Sequence, residues 1–302
     1  MKHWPDFLVV GAARAGTTSL QRYLRQHPGL FLPKLKEPCF FAFAEDKTKY
    51  KHGKFAFAVR DPRRYLELFT EADKEQATGE ISTPYLYLFE KTITNINRYH
   101  THPKDVKILI LLRNPADRAF SQYMWRVRDG REPLTFEEAI EAETKRMQDG
   151  YSFDYFYIDR GFYARQVEAY QRAFKSVKIV LLEDLKLRPA EMLAEICQFL
   201  GVDESFIFQR EDGLNASYEP RFKFISRLIT VESKTKFRIL NQLPDSWRRG
   251  IREQFREWNS SRSKQILLEP STRKQLVEIY SEDIKKLEKL IHRDLSAWLS
   301  AE

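Results

Sequence analysis

The residues best suited to chemistry lie near the start of the chain, between an apolar run and a helical pattern. They read Gly11-Ala12-Ala13-Arg14-Ala15-Gly16-Thr17-Thr18, with four residues between the glycines and two hydroxyl residues at the end. Glycines let the backbone turn tightly so that successive N–H groups converge on an anion, and the following helix N-terminus adds its positive dipole end. The spacing predicts a phosphate-binding loop; a strand-to-helix turn without a ligand is the alternative.

The cation in this loop is not the one that an ATP-binding loop uses. In a Walker A loop, a lysine follows the second glycine and reaches the β- and γ-phosphates. Thr17 stands at that position here, and a cation comes earlier in the loop, as Arg14. The pattern therefore indicates a phosphate-binding loop adapted to a donor other than ATP.

A second polar segment follows another apolar run, residues 108–112. This run ends in Arg113-Asn114-Pro115, and the helix predicted after it carries Ser121. A magnesium-dependent phosphotransferase commonly uses an aspartate at a strand end to hold its metal, whereas this strand delivers an arginine. Arg113 can bind a phosphate through its forked guanidinium, and Ser121 can donate one more hydrogen bond. The pair predicts a second anion site; an arginine that only caps the sheet edge is the alternative.

A parallel sheet is the element that must position these segments. Apolar runs at residues 7–10, 108–112 and 177–182 have the length and β-branched content of buried strands, and a weaker candidate surrounds residues 79–81. Helical patterns cover residues 17–26, 61–71, 116–128, 136–147, 163–174 and 189–200. The alternation predicts an α/β fold, a central parallel β-sheet flanked by helices, in one domain over residues 1–302. Apolar residues at helical spacing predict a mainly helical portion over about residues 222–302, packed on the sheet.

Composition excludes several broad classes. With 302 residues, 42% of them hydrophobic, the chain can build a large core and is not intrinsically disordered. Two cysteines rule out a disulfide framework or a Cys-rich zinc site, and the apolar runs are far shorter than a membrane span, so we expect a cytoplasmic protein without a transmembrane segment. The net charge of +8 is spread among mixed signs, and we expect no nucleic-acid partner.

Residues 11–20 and 113–123 together resemble the paired signatures of sulfotransferases that use 3′-phosphoadenosine 5′-phosphosulfate (PAPS), particularly bacterial members similar to the heparan-sulfate sulfotransferase domain. The resemblance continues through residues 36–41, 79–85, 161–163, 183–185 and 215–221. It implies a P-loop-type nucleotide-binding fold, with PAPS as co-substrate and no metal. The nucleotide-binding residues that it implies are Arg14, Ala15, Gly16, Thr17, Thr18, Ser19, Arg113, Ser121, Tyr163 and Arg221.

The same resemblance implies the catalytic residues. Glu37, in Lys36-Glu37-Pro38, stands where heparan-type enzymes place a catalytic glutamate, and Phe40 and Phe41 are expected to desolvate it. Arg14 stands where the family usually has lysine, so we expect it to stabilise charge on the leaving group rather than donate a proton. Sulfuryl transfer moves a less heavily charged group than phosphoryl transfer, so arginine, hydroxyls and amides can serve without a metal.

The acceptor is less constrained, and two other functions stay open. We expect a hydroxyl or amine on a small molecule or glycan; Ile81 and Cys39 depart from the heparan-type pattern at positions that bear on the acceptor. Basic residues could line an acidic-substrate groove, although a solvated helical face is the favoured interpretation: Lys223, Arg227, Lys234, Lys236, Arg238, Arg248, Arg249 and Arg252. The alternatives are a phosphate-loop kinase that uses ATP, and a non-enzymatic binder of anionic polymers.

Overall fold

The computed structural model describes residues 4–53, 55, 57–209 and 267–300. The strands of this part of the chain are β1 (Phe7–Gly11), β2 (Leu30–Phe31), β3 (Ala77–Ile81), β4 (Lys107–Leu112) and β5 (Val177–Leu181). Its α-helices are α1 (Thr17–Leu24), α2 (Phe40–Phe43), α3 (Pro62–Glu67), α4 (Pro84–Tyr87), α5 (Phe89–Tyr99), α6 (Pro115–Arg128), α7 (Phe136–Glu141), α8 (Glu143–Gln148), α9 (Tyr163–Ala173), α10 (Leu182–Leu187), α11 (Pro189–Leu200) and α12 (Pro270–Ile291).

The strands form one sheet in the order β2-β3-β1-β4-β5, and every neighbouring pair is parallel. The central strand, β1, is buried along its whole length. After β1, strands β2 and β3 lie toward one edge of the sheet, and the chain then crosses β1 to form β4 and β5 toward the other edge. The loops that leave the carboxyl ends of β1 and β4 therefore diverge, and a crevice at such a crossing is where open α/β sheets bind ligands.

Helix α6 begins directly after β4 because its first residues favour that start. Pro115 occupies the first turn, where a missing N–H costs nothing, and the Asn114 side chain accepts hydrogen bonds from the backbone N–H groups of Ala116 and Asp117. The start of α6 is thus fixed at the carboxyl edge of the sheet. As a result, Ser121 lies about two helical turns from the strand end.

The predicted fold class is confirmed, with local differences. All three strong strand predictions and the weaker one match β1, β4, β5 and β3, and α11 has the predicted bounds, stopped by Gly201 at φ 82°. The helix predicted over residues 136–147 is instead two short helices, α7 and α8, and helix α5 had no counterpart in the prediction. Helix α12 confirms a C-terminal helix, and its main packing partners are α9, the 3₁₀ turn at Ser296–Leu299 and α6.

Some predictions fall outside the described residues. Arg221, the rest of residues 215–221 and the basic residues between 223 and 252 belong to this group. Among the helices that are described, none combines the length and apolar character that crossing a bilayer requires.

Candidate active site

The loop after β1 turns sharply into helix α1 at Gly16. This residue has φ 90°, a left-handed conformation that favours glycine, and a Cβ here would lie 2.6 Å from Leu182 Cδ1. The first turn of α1 carries no acidic residue, and the N–H groups at a helix start lack intrahelical partners. The predicted strand–loop–helix arrangement is present, and the start of α1 supplies a positive dipole end. That the loop binds phosphate stays a prediction.

Arg14 joins the two loops of the crevice. Its Nε donates a hydrogen bond to Ser121 Oγ at 3.2 Å, although 107 residues separate the two in sequence. In return, Arg113 Nη1 donates to the backbone carbonyl of Arg14 at 3.4 Å. Arg14, from the first predicted motif, therefore contacts both Arg113 and Ser121, from the second, at the carboxyl edge of the sheet.

Positive charge is concentrated around Arg14. Burial, together with the neighbouring cations Arg128 and Arg113, lowers the pKa of its guanidinium to about 10, although Asp129 counteracts part of the shift. Arg14 remains charged at neutral pH, so the lowered pKa reports an environment that disfavours cations. An anion bound in the crevice would relieve this mutual repulsion. Arg128, two turns beyond Ser121 on α6, is a contributor that the sequence motifs did not single out.

Arg113 is held by contacts on both sides of the strand end. The Tyr163 hydroxyl donates to the Arg113 carbonyl at 3.1 Å, and Glu183 Oε1 accepts from the Asn114 N–H at 3.2 Å. Tyr163 is only 1% exposed, and its buried hydroxyl group hydrogen-bonds to the backbone of Arg113, not to the guanidinium. The predicted nucleotide-binding role of Tyr163 stays a prediction, and the hydrogen bond that the structure shows is with the backbone of Arg113.

The remaining loop residues differ in exposure. Ala15, Thr17 and Ser19 have buried side chains, whereas Gly16 and Thr18 are partly exposed. The Thr18 hydroxyl accepts a hydrogen bond from Lys36 Nζ, which brings the segment containing Glu37 against the loop. The sequence prediction quoted Lys36 as part of a motif but gave it no role.

Glu37 lies in the segment that Lys36 anchors and has a strained backbone. Its φ is 53°, a conformation rare for residues other than glycine and often found at functional sites. The Thr83 hydroxyl donates to Glu37 Oε1 at 3.1 Å. Burial raises the pKa of Glu37, against the opposing effects of Lys36 and of the Thr83 hydrogen bond. A carboxylate with a raised pKa is a stronger base, as proton abstraction requires.

The two phenylalanines that follow Glu37, Phe40 and Phe41, pack in the hydrophobic core. Phe40 stacks on Tyr65 with ring centroids 4.6 Å apart, and Phe41 meets the same ring edge-on at 5.4 Å. The pKa shift of Glu37 has the direction that the sequence predicted. The phenylalanines anchor helix α2, which immediately follows the segment with Glu37.

A second carboxyl group, Glu80, lies in the core beneath this segment. It is 1% exposed and accepts hydrogen bonds from the hydroxyls of Ser82 at 2.6 Å, Tyr85 at 2.5 Å and Tyr65 at 3.0 Å. Burial raises the pKa of Glu80 to about 7, although all three hydrogen bonds oppose the shift. No cation pairs with this carboxyl group within the described residues, so hydroxyls alone satisfy it.

The hydroxyls around Glu80 also hold the backbone that follows Glu37. Ser82 Oγ accepts from the Cys39 N–H at 2.9 Å, and the Tyr85 hydroxyl accepts from the Phe41 N–H at 3.1 Å. Glu80 thus orients two hydroxyls, and each hydroxyl fixes one amide of the segment. Sequence reasoning missed this support, although residues 79–85 were already a recognised motif.

Metal ligands are not grouped in the described ranges. No cluster of three or more histidine, cysteine, aspartate or glutamate side chains there could hold a metal ion. The chemistry available at the crevice is that of arginines, a lysine, hydroxyls, amides and one strained carboxylate.

Taken together, the sheet order, the altered phosphate loop and the arginine at the end of β4 define a P-loop-type α/β protein with a divided anion site. Residues 5–205 match the sulfotransferase family, and the chain belongs to that family. A sulfotransferase from Alicyclobacillus acidocaldarius has the same fold, with a TM-score of 0.74 and 33% sequence identity over 98% of this chain and 99% of that one.

Curated relatives carry the same domain within longer proteins. The membrane-associated sulfotransferase kil1 of Dictyostelium discoideum is 32% identical over 148 residues, which cover 46% of this chain and 28% of kil1. The bifunctional heparan sulfate N-deacetylase/N-sulfotransferase 1 of Mus musculus is 26% identical over 271 residues, 86% of this chain and 29% of the mouse protein. The chain therefore spans less than a third of either relative.

Proposed function

We propose that this protein transfers the sulfuryl group of PAPS to a hydroxyl or amine of an acceptor. The observation that carries the proposal is the contact of Arg14 with both Ser121 and Arg113, because it unites two anion-binding loops in one crevice. PAPS has two anionic ends, and the two loops offer one set of donors for each. Family membership favours this function over the kinase and the polymer binder.

In the proposed reaction, each residue acts on one atom of an in-line displacement. Glu37 takes the proton of the acceptor hydroxyl or amine while the acceptor atom forms its bond to sulfur. The bond between sulfur and the bridging oxygen breaks, and the electron pair stays on the 5′-phosphate, where Arg14 and the loop amides stabilise the negative charge. Arg113 and Ser121 hold the 3′-phosphate and take no part in bond breaking, and we propose Arg221 as a further ligand there.

Binding of 3′-phosphoadenosine 5′-phosphate (PAP), the product nucleotide, tests the nucleotide assignment. Isothermal titration should show binding to the wild type in the absence of magnesium and weaker binding to the Arg113→Ala/Ser121→Ala double variant. Absence of binding by the wild type, or equal binding by the double variant, would refute the assignment. ATP with magnesium is the comparison that detects a kinase.

We further propose a carbohydrate acceptor, supported by the relatives whose names specify heparan sulfate. Transfer of ³⁵S from labelled PAPS should be measured on N-desulfated heparan, O-desulfated heparan and a simple phenol. Label on either glycan supports the proposal and distinguishes amine from hydroxyl acceptors, whereas label only on the phenol contradicts it. The cytoplasmic location and the single domain over residues 1–302 stay predictions.

A further inference from the structure

Lys36 contacts the start of helix α1, directly after the phosphate loop, and the sequence motifs gave it no ligand. It lies just before Glu37, outside the loop itself, yet its Nζ reaches across to Thr18 Oγ1 on the first turn of helix α1. The two residues are 18 positions apart in sequence. The lysine that this loop lacks at Thr17 therefore has a counterpart in space, supplied by another segment.

The surroundings of Lys36 leave its charge available. An ammonium group has three N–H donors, and one of them is used on Thr18. No carboxylate of the described residues lies within ion-pair distance of Lys36, although Glu37 is its neighbour in sequence. Burial lowers the pKa of Lys36; Glu37 opposes the shift, whereas Arg14 and Arg22 add to it. The group is thus a partly buried cation beside another cation, an arrangement that an anion between them would stabilise.

We infer that Lys36 is a direct ligand of the 5′-phosphate end of the nucleotide and forms, together with Arg14, a two-cation site at the start of helix α1. The inference rests on the proposed function and adds a residue to it. Thr18 links the cation to the loop: its oxygen accepts from Lys36, which leaves its own hydrogen free to donate to the ligand. Because Lys36 and Glu37 are adjacent, binding at the 5′-phosphate also fixes the segment that carries the base.

Nucleotides that lack one phosphate separate this role from a structural one. Titration should compare PAP, adenosine 5′-monophosphate and adenosine 3′-monophosphate on the wild type, Lys36→Met, Lys36→Arg and Arg113→Ala. Lys36→Met should weaken PAP and the 5′-monophosphate by about tenfold to a hundredfold and change the 3′-monophosphate by less than about threefold. Lys36→Arg should retain most of the affinity, and Arg113→Ala should show the mirror pattern, with its loss confined to nucleotides that carry the 3′-phosphate.

The other possible results separate the role of Lys36 from the proposed function. Undiminished binding of PAP by Lys36→Met overturns the role of Lys36 and leaves the proposed function intact. Equal losses for all three nucleotides also overturn it, because they indicate a disturbed loop and not a lost phosphate contact. Failure of the wild type to bind PAP overturns the proposed function itself, and the role of Lys36 with it.

Discussion

Two arginine environments in this protein differ in how the positive charge of the side chain is compensated. Arg146 donates to both oxygens of Glu132, at 2.7 and 2.8 Å, and Tyr157 donates to the same carboxylate at 2.6 Å. Burial disfavours the charged form of Arg146. The hydrogen bonds and negative charge of Glu132 favour it more strongly, so the pKa of the guanidinium is raised. Arg14 shows the opposite: burial and neighbouring arginines lower its pKa.

The difference between these two arginines indicates where an anionic ligand would bind. The charge of Arg146 is compensated by its own carboxylate, so we expect its removal to destabilise the fold. Arg14 instead faces Arg128 and Arg113, and we propose that a bound anion compensates its charge. Glu80 is an intermediate case, a buried carboxyl group satisfied by hydroxyls alone.

The strongest test of the comparison is Arg146→Ala. It leaves Glu132 buried without its cation, and we expect a loss of about 3–5 kcal/mol in the free energy of unfolding. Urea denaturation measures the loss, and titration with PAP should give a dissociation constant close to that of the wild type for the folded protein. A loss below about 1 kcal/mol would show that the pair is not structural.

Arg113→Ala should produce the reverse result. We expect PAP to bind about tenfold to a hundredfold more weakly, because a charge-assisted contact is lost, while the free energy of unfolding changes by less than about 1 kcal/mol. The same two measurements apply. A variant that loses stability but binds PAP normally would show that Arg113 has a structural role like that of Arg146, and no role in binding the nucleotide.

Glu80→Gln tests the carboxyl group that only hydroxyls satisfy, through the pH dependence of the free energy of unfolding. The pKa of Glu80 is raised from 4.5 to about 7, so the folded state retains a proton that the unfolded state has lost. The stability of the wild type relative to Glu80→Gln should therefore be highest below pH 4.5, fall by about 1–3 kcal/mol as the pH rises to about 7, and stay constant above it. Urea denaturation at four pH values measures the slope; parallel curves would contradict the raised pKa.

Ser121→Ala should have the smallest effect. It removes one hydroxyl, and with it the acceptor for Arg14 Nε at 3.2 Å, so we expect PAP to bind about threefold to tenfold more weakly. Ser121→Thr is the matched control because it keeps the hydroxyl. Titration would contradict the prediction if the alanine and threonine variants bound PAP equally.

Much of the fold and part of the site could be predicted because their signals are local. A strand of apolar residues, two spaced glycines and an Asn-Pro pair each specify their own backbone geometry, so β1, the phosphate loop and the start of α6 were predicted at nearly their observed bounds. Helix α5 was missed, and the helix predicted over residues 136–147 breaks near residue 142, because tertiary packing decides such segments.

The sequence by itself determined which groups could bind an anion: Arg14, Arg113 and the glycines of the loop are present whatever the fold. Only the tertiary structure decided which groups meet, because β1 and β4 pair in the sheet although about a hundred residues separate them. That pairing brings Ser121 to Arg14, and the crossing of a separate segment brings Lys36 to Thr18. Charge compensation is likewise a property of neighbours in space, so Arg146 and Arg14 cannot be told apart until the chain is folded.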